Sequence, residues 1–112
     1  MSDGCPYFDR AGRRIGRDEW ATRFEDLAYK RIGYDELDGV VVSTVWIGMD
    51  MSYAERPPLI FETMVFSDRD TLSTLYCQRY ATEEGASTGH REVAALVSAL
   101  GAEAFTAGDT ER

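Results

Sequence analysis

The chain has 112 residues, 44% hydrophobic, 12% aromatic and 29% charged, which excludes a disordered tract and gives one domain enough apolar surface to fold without disulfides or metal. Its 20 acidic and 12 basic residues leave a formal net charge of −8; direct contact with nucleic acid is not expected, because phosphates need neutralising cations, and a basic partner is favoured. No apolar run approaches the roughly 20 residues of a membrane span, and the polar start from Met1 to Gly4 lacks the apolar stretch of a secretory leader, so a soluble protein of the cytosol with no membrane contact is expected.

Tyr7 to Ile15 reads as two short strands about a tight turn closed by Gly12. From Asp18 the period changes: Trp20, Phe24 and Leu27 recur at i, i+4 and i+7, which predicts an amphipathic helix over Asp18 to Asp26, with Asp18 and Glu19 opposing the dipole in its first turn. Tyr29 to Tyr34 alternates as a strand, and Asp35 to Gly39 reads as a polar turn. Val40 to Met49 is the most β-like stretch and the expected central strand. Asp50 to Pro58 is a loop whose two prolines set an extended entry to the next strand, Leu59 to Phe66. That strand puts Ile60, Glu62, Met64 and Phe66 on one face and Leu59, Phe61, Thr63 and Val65 on the other, and it should pair antiparallel with its predecessor. Ser67 to Thr71 is a charged turn, and Thr74 to Tyr80 a weaker strand at the edge of the meander.

The last element has the clearest limits. Thr82 suits an N-cap, Glu83 and Glu84 fill the first turn, and Ala86, His90, Val93, Leu96, Val97 and Leu100 recur at helical spacing before Gly101, so a helix is predicted over Glu83 to Leu100. Gly85 and Gly89 each weaken it by roughly 1 kcal/mol relative to alanine, which marks a close approach to the sheet. The expected fold is therefore one α+β domain over residues 1–112: an antiparallel β-meander of three to five strands, packed against a short N-terminal helix and a longer C-terminal helix. Residues 1–5 and 102–112 are expected to fray.

The residues that carry chemistry are few. His90 is the only histidine, and the helical count puts it at the apolar face, where a hydrogen-bonded core role is the first reading. One histidine with two scattered cysteines makes no zinc set, so neither metal nor cofactor is expected. The count allows a disulfide between Cys5 and Cys77 without requiring one, and a reducing compartment is expected. Glu62, an acid inside an apolar strand, either carries a raised pKa and acts with His90 as an acid or base, or pairs with Arg31 or Arg79 across the sheet, the reading preferred here. No GxSxG, HExxH, P-loop or dinucleotide fingerprint occurs, and no catalytic residue is assigned.

Two surfaces suit binding. The acids Asp35, Glu36 and Asp38 cluster on one turn. The Asp50 to Pro58 loop, with Met51, Tyr53 and Arg56, mixes apolar, aromatic and guanidinium groups as binding surfaces do. A small-ligand pocket of Trp46, Tyr53, Tyr80 and His90, with Arg56 or Arg79 as the cation for a nucleotide, is the alternative.

The segments STVWIGMD (Ser43 to Asp50), PPLIFETMVF (Pro57 to Phe66) and RYATEEGASTGHREV (Arg79 to Val93), with YFDRAGRRI and EWATRFEDLAYKRI upstream, resemble a family of small uncharacterised proteins frequent in phages and prophages, especially of actinobacteria. That resemblance implies context and no activity, cofactor or catalytic residue. A longer residue usually stands in the family where this chain has Gly85, which bears only on helix stability. Small acidic phage proteins commonly bind a host or defence protein, as anti-CRISPR proteins do, or remove a small signalling molecule. The expectation is a non-enzymatic phage-type protein in the host cytosol that binds and modulates or inhibits a host or defence protein with a basic surface, with a purely structural role in the phage as a further alternative and a homodimer as the default assembly.

Overall fold

The computed structural model describes residues 6–51, 56–67, 70–101 and 103–105. Its centre is the valine-rich run Val40–Trp46, strand β2, where β-branched side chains that stiffen the backbone favour an extended chain. With β1 (Arg31–Leu37), β3 (Phe61–Ser67) and β4 (Asp70–Tyr80) it forms a four-stranded antiparallel sheet in the order β1-β2-β3-β4. This is the expected meander.

Alternation then sorts the side chains. Val40, Val42, Thr44 and Trp46 of β2 and Phe61, Thr63 and Val65 of β3 are buried on the face against which the long helix packs. The helices are α1 (Arg17–Phe24), α2 (Leu27–Lys30) and α3 (Glu83–Leu100). The core has two parts: Phe8, Trp46, Ile60, Phe61 and Ala86 at one end of the sheet, and Val40, Val42, Val65, Val93 and Val97 at the other.

Helix α3 has the predicted limits. The Thr82 hydroxyl accepts from the Gly85 N–H at 3.0 Å, and Ala86, His90, Val93 and Val97 form its buried stripe. Gly89 marks the close approach anticipated: a Cβ there would lie 2.3 Å from the Tyr80 hydroxyl.

Several boundaries move. Helix α1 stops at Phe24, and Asp26 instead caps α2, its carboxylate accepting from the N–H groups of Ala28 and Tyr29 at 3.1 and 3.3 Å. Tyr29 and Lys30, expected in a strand, are thus helical. The turn expected over Asp35 to Gly39 shrinks to Asp38 and Gly39, at φ 53° and 77°, because Asp35, Glu36 and Leu37 pair in register with Val42, Val41 and Val40. Ladder bonds to a valine strand outweigh the weak β-propensity of the acids, and an Asp-Gly pair with both φ positive is what a two-residue hairpin turn needs. Strand β2 ends at Trp46 rather than Met49, since the N–H groups of Ile47 and Gly48 both turn to the Ile60 carbonyl, at 2.8 and 3.1 Å. Strand β3 begins at Phe61 rather than Leu59, and β4 begins at Asp70 rather than Thr74.

The N-terminal hairpin closes through a Phe8–Arg14 bridge. Buried Asp9 holds its turn, accepting from the N–H groups of Ala11 and Arg13 at 3.0 and 2.9 Å and from Arg13 Nε at 3.1 Å. Burial works against ionisation of that carboxyl, but the bonds and charge of Arg13 prevail and hold it below its ordinary 3.8. Arg10 ties the hairpin to the start of α3 by a two-point ion pair with Glu83, and its Nη1 donates to the Tyr29 carbonyl at 2.8 Å.

Residues 103–105, within the tail expected to fray over 102–112, lie among the described residues. Residues 103–105 are helical, and the Phe105 ring packs on Tyr76 at 5.2 Å between centroids, because an aromatic ring gains more against the valine cluster than in water. Residues 1–5 and the remainder of the tail lie outside the described residues.

Candidate functional site

Three places gather the residues singled out above. The first is the free edge of the sheet. Strand β1 pairs only with β2 among the described residues, and a shallow groove of about 570 Å³ lined by Leu27, Ala28, Arg31, Ile32, Gly33 and Tyr34 runs beside it. Leu27 and Tyr34 are exposed, and the Arg31 guanidinium lies 4.5 Å from the centroid of the Tyr34 ring. Glu36 accepts from the Tyr34 hydroxyl at 2.8 Å, and Asp38 is exposed at the turn beyond. The groove thus carries two apolar side chains, an unpaired strand edge and acids at its far end.

The second place runs inward from the half-exposed Asp35 carboxylate. Asp35 belongs to the acidic cluster in sequence but not in role: it shares the buried face with Val42, and its Oδ2 lies 2.7 Å from His90 Nε2. His90 Nδ1 meets Thr44 Oγ1 at 2.8 Å, and Thr44 meets Thr63 Oγ1 at 2.5 Å. The result is a continuous chain, Asp35–His90–Thr44–Thr63, linking α3 to β1, β2 and β3. A ring that donates from Nε2 to Asp35 accepts the Thr44 hydroxyl at Nδ1. Gly33 makes room for it, since a Cβ there would lie 2.8 Å from the ring. Order and residue types suggest an acid, a base and a hydroxyl nucleophile, but Thr44 and Thr63 are fully buried and His90 is 7% exposed. A carbonyl substrate has no approach to the hydroxyl. The chain holds the helix on the sheet.

The third place is the other face. Glu62 sits between Phe61 and Thr63, both buried beneath α3, and so points away from His90; the two cannot serve one substrate as acid and base. Glu62 pairs instead with Arg79 directly across the strands, Oε2 to Nε at 3.2 Å, the second of the two partners weighed from sequence. Its Oε2 also accepts from the Cys77 thiol at 3.1 Å. Cys77 is free and exposed as a residue, yet desolvation of its sulfur, and after it the Glu62 carboxylate, pushes the thiol up to about 11. A rise of two units leaves about 100-fold less thiolate at pH 8. In a Cys5→Ala background, iodoacetamide is therefore expected to modify Cys77 far more slowly than a free cysteine, and Glu62→Gln should raise that rate several-fold. Equal rates with and without Glu62 would refute the assignment.

Near that ion pair a cavity of about 500 Å³ opens beside the β2–β3 connection, lined by the rings of Trp20 and Phe24, by Ile47, Met49 and Met51, and by Asp50, Arg56 and Arg79. Trp20 and Phe24 stack at 4.9 Å between centroids, and the Trp20 indole N–H donates to the Ile47 carbonyl at 2.9 Å. Asp50 accepts from Arg56 and from the Leu59 N–H, both at 2.8 Å. The pocket expected from sequence does not form: Trp46 is fully buried, His90 lies inside the hydrogen-bonded chain, and Tyr53 lies outside the described residues. Its two proposed cations, Arg56 and Arg79, both line the cavity beside Trp20 and Phe24 instead. Those two rings read from sequence as the buried side of α1, and the helical spacing that revealed them gave no sign that they also reach the surface.

Among the described residues no group of three or more His, Cys, Asp or Glu side chains could hold a metal ion, and no helix is long and apolar enough to cross a membrane. Comparison with protein-family models, curated proteins and solved structures found no match.

Proposed function

We propose that this chain is a non-enzymatic binding protein of phage type that engages a basic surface on a host or defence protein through the β1 edge and thereby blocks it. The observation that carries the reading is the uncovered edge of β1, where an open groove with exposed Leu27 and Tyr34 runs into the exposed acids Glu36 and Asp38. An unpaired strand offers main-chain hydrogen bonds to an extended segment, and side-chain pockets beside it select the residues that segment carries. Acids at one end favour lysine or arginine there and speed the encounter, consistent with the net charge of −8. The context, a host or defence protein as target, rests on the resemblance to phage proteins alone.

The test uses substitutions that spare the fold. Asp35 is unsuitable because it holds His90, and Asp38 at φ 53° tolerates asparagine better than lysine. Glu36→Lys reverses the charge at one exposed position and Asp38→Asn removes it at another. Tagged protein is expected to retain a basic partner from host lysate at low salt and release it at high salt, and the double variant should retain about tenfold less. Retention of the same proteins by both would refute the β1 edge as the binding surface.

A further inference from the structure

The cavity beside the β2–β3 connection is separate from the β1 groove and shares no lining residue with it. We propose that it binds a planar aromatic molecule bearing a single carboxylate. At about 500 Å³ it falls within the volume of pockets that enclose small organic ligands, and its lining is of the same kind, mostly apolar with a few polar groups. Trp20 packs on both Phe24 and Tyr7, and the Lys30 ammonium lies 3.9 Å over the Phe24 ring, so these rings meet an inserted ring chiefly by their edges, and the thioethers of Met49 and Met51 adapt to it.

Arg79 supplies the polar anchor. Its Nε is engaged by Glu62, while Nη1 and Nη2 have no hydrogen-bond partner among the described residues, and its side chain is half exposed. Glu62 therefore fixes the plane of the guanidinium and leaves an outer pair of donors, the fork that a carboxylate fills with two parallel bonds. Arg56, by contrast, is held by Asp50 and the Pro57 carbonyl.

Charge sets the ligand class. Among the described residues Arg56 and Arg79 pair with Asp50 and Glu62, and the Lys30 ammonium lies over the Phe24 ring, so these groups carry no excess of negative charge inside a chain of net charge −8. One negative charge is accommodated by the Arg79 fork. A triphosphate adds several more against the field of the whole molecule, which separates this site from a nucleotide triphosphate pocket.

The probe is 2-naphthoate, titrated into the full chain by calorimetry and followed by NMR of the methionine methyls. Saturable binding is expected, with ring-current shifts at Met49 and Met51. The uncharged 2-naphthamide, acetate alone and ATP should each bind about tenfold more weakly or worse. Arg79→Gln should weaken naphthoate about tenfold, and Arg79→Lys, which keeps the charge but not the fork, should fall between. Absence of saturation at several millimolar naphthoate, equal binding of the amide, or unshifted Met49 and Met51 methyls would overturn the proposal. Full-strength binding by Arg79→Gln would do the same, and should that variant not fold, full-strength binding by Arg79→Lys decides against it. Loss of protein binding by the Glu36 and Asp38 variant leaves this result untouched, so the two readings fail independently.

Discussion

Replacing Trp46 with alanine is expected to lower stability by about 3–5 kcal/mol, the largest effect of any single substitution in the core. The indole is fully buried among Phe8, Ile60, Phe61 and Ala86, the Tyr29 ring meets it edge-on at 5.0 Å between centroids, and its N–H donates to the Phe8 carbonyl at 3.1 Å. Alanine leaves a cavity and an unpaired carbonyl together. Collapse around the gap is restricted, because Gly48 already lies against the ring: a Cβ at that position would sit 2.3 Å from it. For a domain of this size each kcal/mol lowers Tm by about 4–8 °C, so the variant should melt at least 12 °C below the parent. Urea unfolding monitored by circular dichroism measures it. A loss under about 1.5 kcal/mol would mean that the N-terminal hairpin and α1 contribute little to the stability of the sheet.

The second large effect is at Thr44. Valine has nearly the same shape but no hydroxyl, so Thr44→Val leaves both His90 Nδ1 and the Thr63 hydroxyl without the partner they have now, in a place that water does not reach. Among the described residues every buried side-chain nitrogen and oxygen is satisfied. Orphaning two such groups costs about 2–4 kcal/mol. Thr44→Ser is the control, since it keeps the hydroxyl and removes one methyl, for about 1 kcal/mol. If valine proves no more destabilising than serine, the chain of hydrogen bonds is incidental to the docking of α3.

What could be read from the residues follows a physical division. Helix α3 stands where its pattern puts it because local signals coincide: the Thr82 hydroxyl, two acids at the positive end, a stripe at helical spacing and Gly101 beyond. The Glu62–Arg79 pair was within reach because facing strands with opposite charges at matching positions leave few choices. The first half of strand β1 was within reach by its alternation, but the second half was not, since the residues Asp35 to Leu37 disfavour a strand on their own account and extend only because the valines of β2 are there to pair with. The meeting of Asp35 and His90 joins residues 55 positions apart, and nothing local to either announces it. The nearest hint is Gly33, whose missing side chain makes sense only once the imidazole is known to lie against it. The two candidate surfaces were half legible: the exposed acids and the arginines were identifiable, while the groove and the cavity depend on how α1, α2 and the connections pack.

The β2–β3 connection carries a further consequence. Strands β1 and β2 are joined by Asp38 and Gly39 alone, so their pairing closes a very short loop. The chain between Trp46 and Phe61 is much longer, and its closure carries the larger loss of conformational entropy. It is here that the N-terminal segment gathers its bonds: Phe8 N–H to the Gly48 carbonyl at 2.9 Å, Asp50 N–H to the Pro6 carbonyl at 3.2 Å, and the Tyr7–Met49 bridge. Residues far earlier in the chain act as a splint that removes freedom from the longest connection between the strands.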